Sequence, residues 1–381
     1  MKYGVLVNRG TQNLGDDIQS YAESLFYPHV DYMVDRETID KFKPDKEEPV
    51  GVIMGAWYMW NKWNWPPSKY IVPHMIAYHH YDRSHPLKAC PITTEHYTGP
   101  GGEWMKAYGP VGCRDLDTMD VLDKMGIDNY FSGCVTLTLP KQKKTADRGK
   151  YICLVDLNPK VEAKIRQIVG DKYEIRKLTH SVPRKSNASW EEKAKDVIDV
   201  LTIYQNAAYV VTRRLHVALP CLAMETPVLV VIGEKMNDPK RFKPYDKWLN
   251  YVLVDDFLKG KYEFDFDKGT PNRKEYLETR KKLIKSCKDF VAYCEKNSDK
   301  TVDELNKTKY TRQELLEWQN NLMCDALKKM STENRKLYDK MVKQKSKNVK
   351  IKEESKLVKK IKKYVPEPIK NTIKKVRKKL K

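Results

Sequence analysis

Two arginines and a histidine lie close together in the stretch Val210-Val211-Thr212-Arg213-Arg214-Leu215-His216. Its apolar residues predict a buried strand that ends at Thr212, followed by a helix over Leu215–Met224. Ligands of parallel α/β proteins bind where the strands end, and the N-terminus of a helix attracts anions. Arginine offers paired donors to phosphate or carboxylate, and histidine exchanges protons near neutral pH. The pattern predicts an anion site with a proton donor; the alternative is a helix start with surface arginines and a capping histidine.

A second polar loop, Asn8–Asp17, follows the first predicted strand of the chain. The loop contains glycines but not the G-x-G-x-x-G pattern of a dinucleotide site. It leads into a helix predicted from about Ile18, and in α/β proteins this first turn usually meets the ligand. Asp16 and Asp17 are suited to bind sugar hydroxyls or to cap that helix, and both interpretations stay open.

Arg114 occupies a third turn between a strand and a helix, in the sequence Gly112-Cys113-Arg114-Asp115. Asp115 is predicted to be the N-cap of a helix that runs to Met125. The side chain of Arg114 is then free to face a cleft, where it adds a third cation to the candidate anion site.

Several cysteines, histidines and tryptophans are interpreted as structural. Cys113, Cys134 and Cys221 lie in apolar stretches, where a cysteine is usually a small buried side chain rather than a nucleophile. His79 and His80 are neighbours on a predicted strand and point to opposite faces, so they cannot chelate one metal together. Four tryptophans between Trp57 and Trp65 form either a sugar-stacking platform or, as we favour, a loop packed onto its own domain.

The elements that must position these residues alternate short apolar runs with helical patterns, which indicates βα units and parallel sheets. The length of 381 residues suggests two domains, and the polar stretch Lys141–Lys150 marks the boundary. We predict an α/β fold in which two doubly wound, Rossmann-like domains, residues 1–145 and 146–271, face a common cleft. Residues 272–339 are predicted to be helical, and the apolar run Phe131–Leu139 is predicted to be a strand.

The net charge of +21 is concentrated in the C-terminal residues 340–381, which hold 18 Lys or Arg and three acidic residues. Apolar residues recur there at helical spacing over Leu357–Val365 and again after Pro368. An aliphatic stripe among lysines is typical of a helix that lies on an anionic membrane. The alternatives are a solvated basic tail and a nucleic-acid-binding tail. Nucleic acid is not expected as a partner, because Tyr364 is the one aromatic residue available for stacking.

Composition excludes several classes of protein. Hydrophobic residues make up 40% of the chain, which is enough for packed cores, but no run of about 18 apolar residues predicts a membrane-spanning helix. The N-terminus turns polar too early for a secretory signal. Eight dispersed cysteines without a Cys-x-x-Cys pair indicate neither a disulfide framework nor a zinc cluster. We expect a cytoplasmic protein that is peripherally associated with the inner face of the membrane through residues 340–381.

Taken together, four of these stretches resemble the motifs of the polysaccharide pyruvyl transferase family. They are Asn13-Leu14-Gly15-Asp16, Gly112–Asp115, Phe131–Leu139 and Thr212–Pro220 with its Arg-Leu-His. The resemblance covers about residues 1–255 in motif order. It implies a GT-B-like fold and transfer of the pyruvyl group of phosphoenolpyruvate to a sugar of a cell-surface polysaccharide or its lipid-linked precursor. The product is a pyruvate ketal.

The resemblance also implies roles for individual residues. His216 is the general acid that protonates the vinyl carbon of the donor, and Arg214 and Arg114 hold its carboxylate and phosphate. The residues expected to bind substrate are Asn13, Gly15, Asp16, Gly133, Thr212 and Arg213. Because arginines neutralise the donor, neither a metal nor a further cofactor is expected. The sequence departs from the family at Val217, where Gly or Ser usually follows the Arg-Leu-His motif.

The alternative function is that of a GT-B glycosyltransferase that uses a nucleotide sugar. Such a donor usually needs an acidic residue for its ribose in the second domain, and Glu225 or Glu234 is suited to that role. A non-catalytic protein of the membrane surface that has kept the same fold is a third alternative.

Overall fold

The computed structural model describes residues 1–58, 64–80, 94–183, 187–233 and 242–364, with side chains up to residue 345. Of the described residues, those up to Gln319 form one compact unit and those from Asn320 onward form a second unit. Both parallel sheets and the candidate site lie in the first unit.

The first parallel sheet has four strands in the order β2-β1-β3-β5. The strands of this half are β1 (Lys2–Val7), β2 (Tyr32–Asp35), β3 (Val50–Ile53), β4 (Trp57–Tyr58), β5 (Ile71–His74), β6 (His79–His80), β7 (Val111–Cys113) and β8 (Asn129–Phe131). The two-residue strands β4 and β6 pair with each other, as do β7 and β8. β1 and β3 are buried almost throughout, as strands of a parallel sheet are when helices cover both faces.

Three helices accompany this sheet, and they are α1 (Leu14–Ser24), α2 (Gly99–Tyr108) and α3 (Leu116–Lys124). The N-cap of α1 is Asn13, whose side-chain oxygen accepts a hydrogen bond from the N–H of Gly15 at 3.2 Å. The helix therefore begins earlier than the predicted Ile18, and neither Asp16 nor Asp17 is its cap. Asp115 caps α3 as predicted, accepting from the N–H of Thr118 at 2.8 Å.

The prediction of a strand over Phe131–Leu139 is wrong beyond Phe131. β8 ends there, and Val135–Thr138 forms a 3-10 turn. Cys134, Val135 and Leu137 are fully buried in the main core of the protein. The alternation of Val135, Leu137 and Leu139 with two threonines is typical of a half-buried strand, but Thr136 is fully buried as well, so the alternation does not separate a core face from a solvent face.

The second parallel sheet has five strands in the order β10-β9-β11-β12-β13. They are β9 (Tyr151–Val155), β10 (Glu174–Leu178), β11 (Val210–Thr212), β12 (Val228–Ile232) and β13 (Asn250–Leu253). The order reverses between β9 and β11, and at such a point the crossing helices diverge and leave a crevice for ligands. Asp156 and Arg213 directly follow these two strands, so they lie at the mouth of the crevice.

The helices of this half are α4 (Pro159–Val169), α5 (Trp190–Asn206), α6 (Leu215–Met224), α7 (Val254–Leu258), α8 (Leu277–Lys296) and α9 (Val302–Leu305). α6 has the bounds predicted for it. Local capping defines the neighbouring helices: Asn158 accepts from the N–H of Lys160 at the start of α4, and Ser189 forms a capping box with Glu192 at the start of α5.

The predicted α/β class with parallel sheets is thus confirmed. The division into two Rossmann-like domains at residue 145 stays a prediction, because the described residues of both sheets belong to one compact unit.

The last helix, α10 (Arg312–Tyr364), has 53 residues and continues through the second unit. The side chains of the predicted membrane-binding stripe lie outside the described residues, as does the chain from Val365 onward. In the part of the chain that the structure describes, no helix has both the length and the hydropathy needed to cross a membrane.

Candidate active site

The turn between β11 and α6 is held by the last residue of the strand. The buried hydroxyl of Thr212 donates to the carbonyl of Val155 at 3.2 Å and accepts from the N–H of Arg214 at 3.0 Å. Arg214 is the N-cap residue of α6 and has an extended backbone (φ −98, ψ 127). Thr212 thus supports the turn from within the protein, and the side chain of Arg214 leaves it at the carboxyl edge of the sheet.

Asp156, which follows β9, orients the guanidinium of Arg214. Its Oδ2 accepts from Nε of Arg214 at 2.9 Å, and the carboxylate also accepts from the hydroxyl of Thr179 and the N–H of His180. Burial raises the pKa of Asp156, but these hydrogen bonds and the charge of Arg214 outweigh it, so the pKa is lowered overall. An ionised carboxylate therefore holds one edge of the guanidinium, while the Arg214 side chain stays 34% exposed.

His216 lies in the first turn of α6 and is buried, with 5% of the residue exposed. Its Nε2 accepts a hydrogen bond from Nη1 of Arg114 at 3.4 Å. Gly15, at the start of α1, also lies against the ring, because a Cβ at this position would be 3.0 Å from Nδ1 of His216. The structure therefore brings together three predicted site residues that are far apart in the sequence.

Arg114 is buried with 1% exposure, which corrects the prediction that it is free to face an open cleft. Nη1 also donates to Oε1 of Gln19, and the backbone carbonyl of Arg114 accepts from the hydroxyl of Tyr245 at 2.6 Å. The carboxyl of Glu23 is buried in the same region. Burial raises its pKa well above the usual range, against the smaller opposing effects of Arg114 and the N–H of Gly55. The guanidinium of Arg114 thus contacts an amide and an imidazole, and its charge acts on the buried carboxyl of Glu23.

A cavity of about 550 Å³ adjoins Arg214 at the carboxyl ends of β1 and β2. The residues that line it are Asn8, Gly10, Thr11, Gln12, Asn13, Asp35, Glu37, Trp57, His180, Ser181 and Arg214. Two predicted site residues, Asn13 and Arg214, therefore share one cavity. His216 and Arg114 are buried and are not among the residues that line it.

Trp57 is fixed at this cavity by two contacts. Its Nε1 donates to Oδ1 of Asp16 at 2.9 Å, and the guanidinium of Arg36 stacks on its ring at 3.7 Å from the centroid. The other oxygen of Asp16 accepts from the hydroxyl of Thr11 at 2.7 Å. Asp16 thus orders the loop and the indole ring, so in this structure both of its oxygens have protein partners.

Gly133 and Arg213 were also predicted to bind substrate, and neither lines the cavity. Gly133 has a φ of +75°, which favours glycine, and a Cβ there would be 3.2 Å from Cγ2 of Thr279 in α8. Arg213 is half-buried, and burial together with the neighbouring charge of Arg214 lowers its pKa. Their role in substrate binding stays a prediction.

The residues interpreted as structural have partners within the protein. His79 Nδ1 pairs with the carboxylate of Asp115, whereas His80 Nδ1 lies 3.0 Å from the hydroxyl of Tyr97. Among the described residues, no three His, Cys, Asp or Glu side chains are grouped so that they could hold a metal ion. Burial raises the pKa of the Cys113 and Cys221 thiols, which disfavours the reactive thiolate.

The four predicted loop tryptophans do not share one environment. Trp65 is 1% exposed and packs edge-on against Trp104 at 5.1 Å between ring centroids, as expected for a loop packed onto its own domain. Trp57 lines the cavity, and Trp60 and Trp63 lie outside the described residues.

A family model for polysaccharide pyruvyl transferases matches residues 13–234, more than half of the chain. The chain belongs to the polysaccharide pyruvyl transferase family. This confirms the resemblance drawn from the sequence motifs. The matched region contains Asn13, Gly15, Arg114, Arg214 and His216, and its family is one of transferases that act in polysaccharide synthesis.

Two solved structures were compared with this pyruvyl transferase family member. One is a functionally uncharacterized protein from Klebsiella pneumoniae, with 12% identity over 66% of this chain and 92% of that chain and a TM-score of 0.36. The other is MnaA of S. aureus with UDP, with 9% identity over 82% and 99% of the two chains and a TM-score of 0.34. Similarities this low carry no argument about the fold or function of this chain. Among curated proteins, none matches the chain significantly.

Of the two acidic residues named for the glycosyltransferase alternative, Glu225 lies away from the candidate site. Glu225 follows the C-terminal end of α6, whereas the site adjoins the N-terminal end of that helix. Its carboxylate pairs with Lys141 at 2.5 Å on the surface. Glu234 lies outside the described residues.

Several residues of the site were missed by the sequence analysis. Asp156 directly follows β9 and Asp35 is the last residue of β2, so the rule that selected Arg214 at the end of its strand could have found them. Gln19 lies within α1 and has no local signal, because only the approach of Arg114 gives its amide a role.

Proposed function

We propose that this protein transfers the pyruvyl group of phosphoenolpyruvate to two hydroxyls of a sugar and forms a cyclic ketal. The observation that carries the proposal is that Gly15 and Arg114 both lie against the buried imidazole of His216. All three residues belong to the region matched by the family model. This convergence joins the first loop, the third turn and the Arg-Leu-His motif into a single site.

The first chemical step is a proton transfer to the donor. His216 gives a proton to the vinyl CH₂ carbon, which becomes a methyl group and leaves an oxocarbenium-like centre at the adjacent carbon. One sugar hydroxyl adds to this centre and loses its proton. The oxygen of a second hydroxyl then bonds to the same carbon as the bond from that carbon to the phosphate oxygen breaks, and the proton of this hydroxyl leaves with inorganic phosphate, which closes the ketal ring.

Charge complementarity supports an anionic donor. Arg114 and His216 lie 3.4 Å apart with almost no exposure, and Arg214 adds a further cation at the neighbouring cavity. Protonation of His216 places a second cation beside Arg114 in a poorly hydrated site, and a phosphate or carboxylate beside them offsets the resulting repulsion. Binding of the donor and protonation of His216 are therefore expected to favour each other.

The sugar acceptor is assigned to the wall of the cavity formed by Trp57, Asp35 and Glu37. Carboxylates accept hydrogen bonds from sugar hydroxyls, and an indole ring offers an apolar face to the C–H groups of a pyranose. Asp16 and Arg36 hold the ring in place, so the surface is preorganised.

We further propose that the acceptor is a lipid-linked glycan precursor and that the protein acts at the inner, cytoplasmic face of the membrane. The support is the charge of residues 340–381, which carry 18 basic and three acidic residues. Lysines near an anionic surface contribute about 1 kcal/mol each, so several acting together hold a protein there.

Thermal unfolding in the presence of phosphoenolpyruvate tests the donor. A ligand at about 100 times its Kd stabilises the folded protein by about 2.7 kcal/mol, so the wild-type melting temperature should rise with donor concentration. Arg214→Ala should abolish this rise, and Arg166→Ala, which removes an exposed arginine paired with Glu162 on α4, should retain it. A rise with a nucleotide sugar and none with millimolar phosphoenolpyruvate would favour the glycosyltransferase alternative instead.

A further inference from the structure

Helix α10 exposes an unusual number of large apolar side chains. Of fifteen such exposed residues in the described structure, seven lie on this helix: Leu316, Met323, Leu327, Leu337, Tyr338, Met341 and Val342. Exposed apolar residues that line up on one side of an element mark an interaction surface.

Most of these residues follow a heptad repeat. Met323, Met330 and Leu337 are spaced by seven residues, and Leu327 and Met341 lie four residues after the first and last of them. Leu316 lies seven residues before Met323 and continues the repeat. Asn320 and Asn334 lie seven residues before Leu327 and Met341, respectively. In heptad notation, the d positions are apolar and are Leu316, Met323, Met330 and Leu337. The a positions are Asn320, Leu327, Asn334 and Met341, so asparagine alternates there with an apolar residue. We call this row, from Asn320 to Met341, the seam.

Most apolar residues of the seam are exposed, although buried residues of the helix lie beside it. Leu322 and Met330 are partly buried and Ala326 is 1% exposed, whereas Met323, Leu327, Leu337 and Met341 are 45%, 59%, 57% and 58% exposed. At about 100° per residue, Leu322 lies roughly a quarter of a turn from Met323, whereas Ala326 lies about 60° from Met323 and flanks one side of the row. Four of the five apolar residues of the seam are therefore largely exposed in the described structure, and Met330 is the one that is partly buried.

We propose that the seam pairs with the same seam of a second copy of this chain in a parallel two-stranded coiled coil. The asparagines decide the orientation. In a parallel, in-register pair Asn320 and Asn334 meet their own copies and can share amide hydrogen bonds, whereas in an antiparallel pair a positions face d positions and each amide would face a methionine or leucine. Self-complementary contact of this kind is what a two-fold dimer requires.

Charges flanking the seam set its C-terminal limit. In a parallel pair, each g position faces the e position five residues later on the partner. Up to Tyr338 these positions contain few charges, but beyond it Lys340 on each chain faces Lys345 of its partner. Repulsion between these lysines ends the pairing near Met341. Both lysine-rich segments then leave the same end of the dimer, and two of them bind an anionic surface more tightly than one.

The oligomeric state of the full-length protein tests the proposal. Sedimentation equilibrium at micromolar concentration should show a dimer, and Leu337→Glu should raise its dissociation constant by at least about tenfold by placing a charge at a d position. Val342→Glu adds the same charge at an exposed apolar residue outside the seam, 47% exposed, and should leave the dimer intact. A monomeric wild type, or a dimer that Leu337→Glu does not weaken, would overturn the proposal.

Disulfide trapping tests orientation and register. With Cys90 and Cys324 replaced by Ser, Met323→Cys and Leu337→Cys are each introduced alone and oxidised mildly. Each should cross-link two full-length chains, because a parallel in-register pair brings every d position close to its own copy. In an antiparallel pair, at most one of the two introduced cysteines can lie opposite the same cysteine of the other chain. Cross-linking at a single site or at neither would therefore contradict the parallel arrangement.

Discussion

Arg114 donates a hydrogen bond from Nη1 to Nε2 of His216 at 3.4 Å, across 102 residues of sequence. Arginine has no acceptor, so in this arrangement Nε2 presents its lone pair and the ring proton is on Nδ1. The buried guanidinium thereby determines which ring nitrogen receives a proton when an anion enters. The contact joins the two halves of the chain at the group proposed to perform acid catalysis.

Gly15→Ala should impair catalysis more than folding. A Cβ at this position would be 3.0 Å from Nδ1 of His216, so the ring must shift from its contact with Arg114. We expect the rate of pyruvyl transfer to fall at least about tenfold, since a misplacement of about 1 Å can lower a reaction rate by about 10²-fold. Gly233→Ala is the matched control, because its Cβ would lie 3.7 Å from the nearest atom, at ordinary contact distance. Equal activity of the two variants in a phosphate-release assay would show that catalysis does not require glycine at position 15.

Asp156→Asn should weaken donor binding and change the pH dependence of stability. Asparagine tolerates the positive φ of this residue (+52°), so the backbone is preserved while Arg214 loses its anionic partner. Because the pKa of Asp156 is lowered on folding, its ionised form stabilises the wild type above the unfolded value of about 3.9. The difference in the free energy of unfolding between wild type and variant should be constant near neutral pH and should shrink as the pH falls below about 4. Urea unfolding between pH 3 and 7 measures it, and a gap that widens in acid would be inconsistent with this ion pair.

Trp57→Ala should affect the acceptor and not the donor. The substitution removes the indole surface from the cavity but leaves Arg214 and His216 untouched. We expect the phosphoenolpyruvate-induced rise in melting temperature to be retained while pyruvyl transfer at low acceptor concentration falls about tenfold, equivalent to about 1.4 kcal/mol. Loss of the donor-induced shift in this variant would show that Trp57 acts on the donor side instead.

The buried ion pair between Lys193 and Asp17 should stabilise the contact between α5 and α1. Nζ lies 3.3 Å from Oδ1, and the side chains are 3% and 1% exposed. Lys193→Met should cost about 3–5 kcal/mol in the free energy of unfolding, because it removes this cation from a buried carboxylate. Lys195→Met on the same helix breaks an exposed pair with Asp199 and should cost less than about 1 kcal/mol. Chemical denaturation compares the two, and similar values would mean that Asp17 is not charged in the folded protein.

Removal of residues 340–381 should release the protein from anionic membranes without loss of donor binding. The deletion takes away 18 basic residues and leaves the whole matched family region, residues 13–234, in place. In sedimentation with phosphatidylserine vesicles the truncated protein should stay in the supernatant, and full-length protein should pellet unless high salt screens its charges. Neutral phosphatidylcholine vesicles are the control, and equal pelleting of both proteins would contradict a membrane role for this segment.

Short-range signals in the sequence determined much of the secondary structure and the choice of site residues. α6 begins and ends as predicted, and Asp115 is the cap of α3, because strand ends, caps and helical periodicity depend on neighbouring residues. The turns that carry Asn13, Arg114, Arg214 and His216 were recognisable for the same reason: each follows a short apolar strand.

Tertiary structure alone decided the environment of those residues. Arg114 is buried against Gln19 and His216 rather than exposed in a cleft, and Asp16 is occupied with Trp57 and Thr11. The apolar run after Phe131 became a 3-10 turn because the main core surrounds it. Each of these outcomes depends on contacts between residues distant in the sequence, where burial and hydrogen bonding outweigh the local preferences that a single sequence displays.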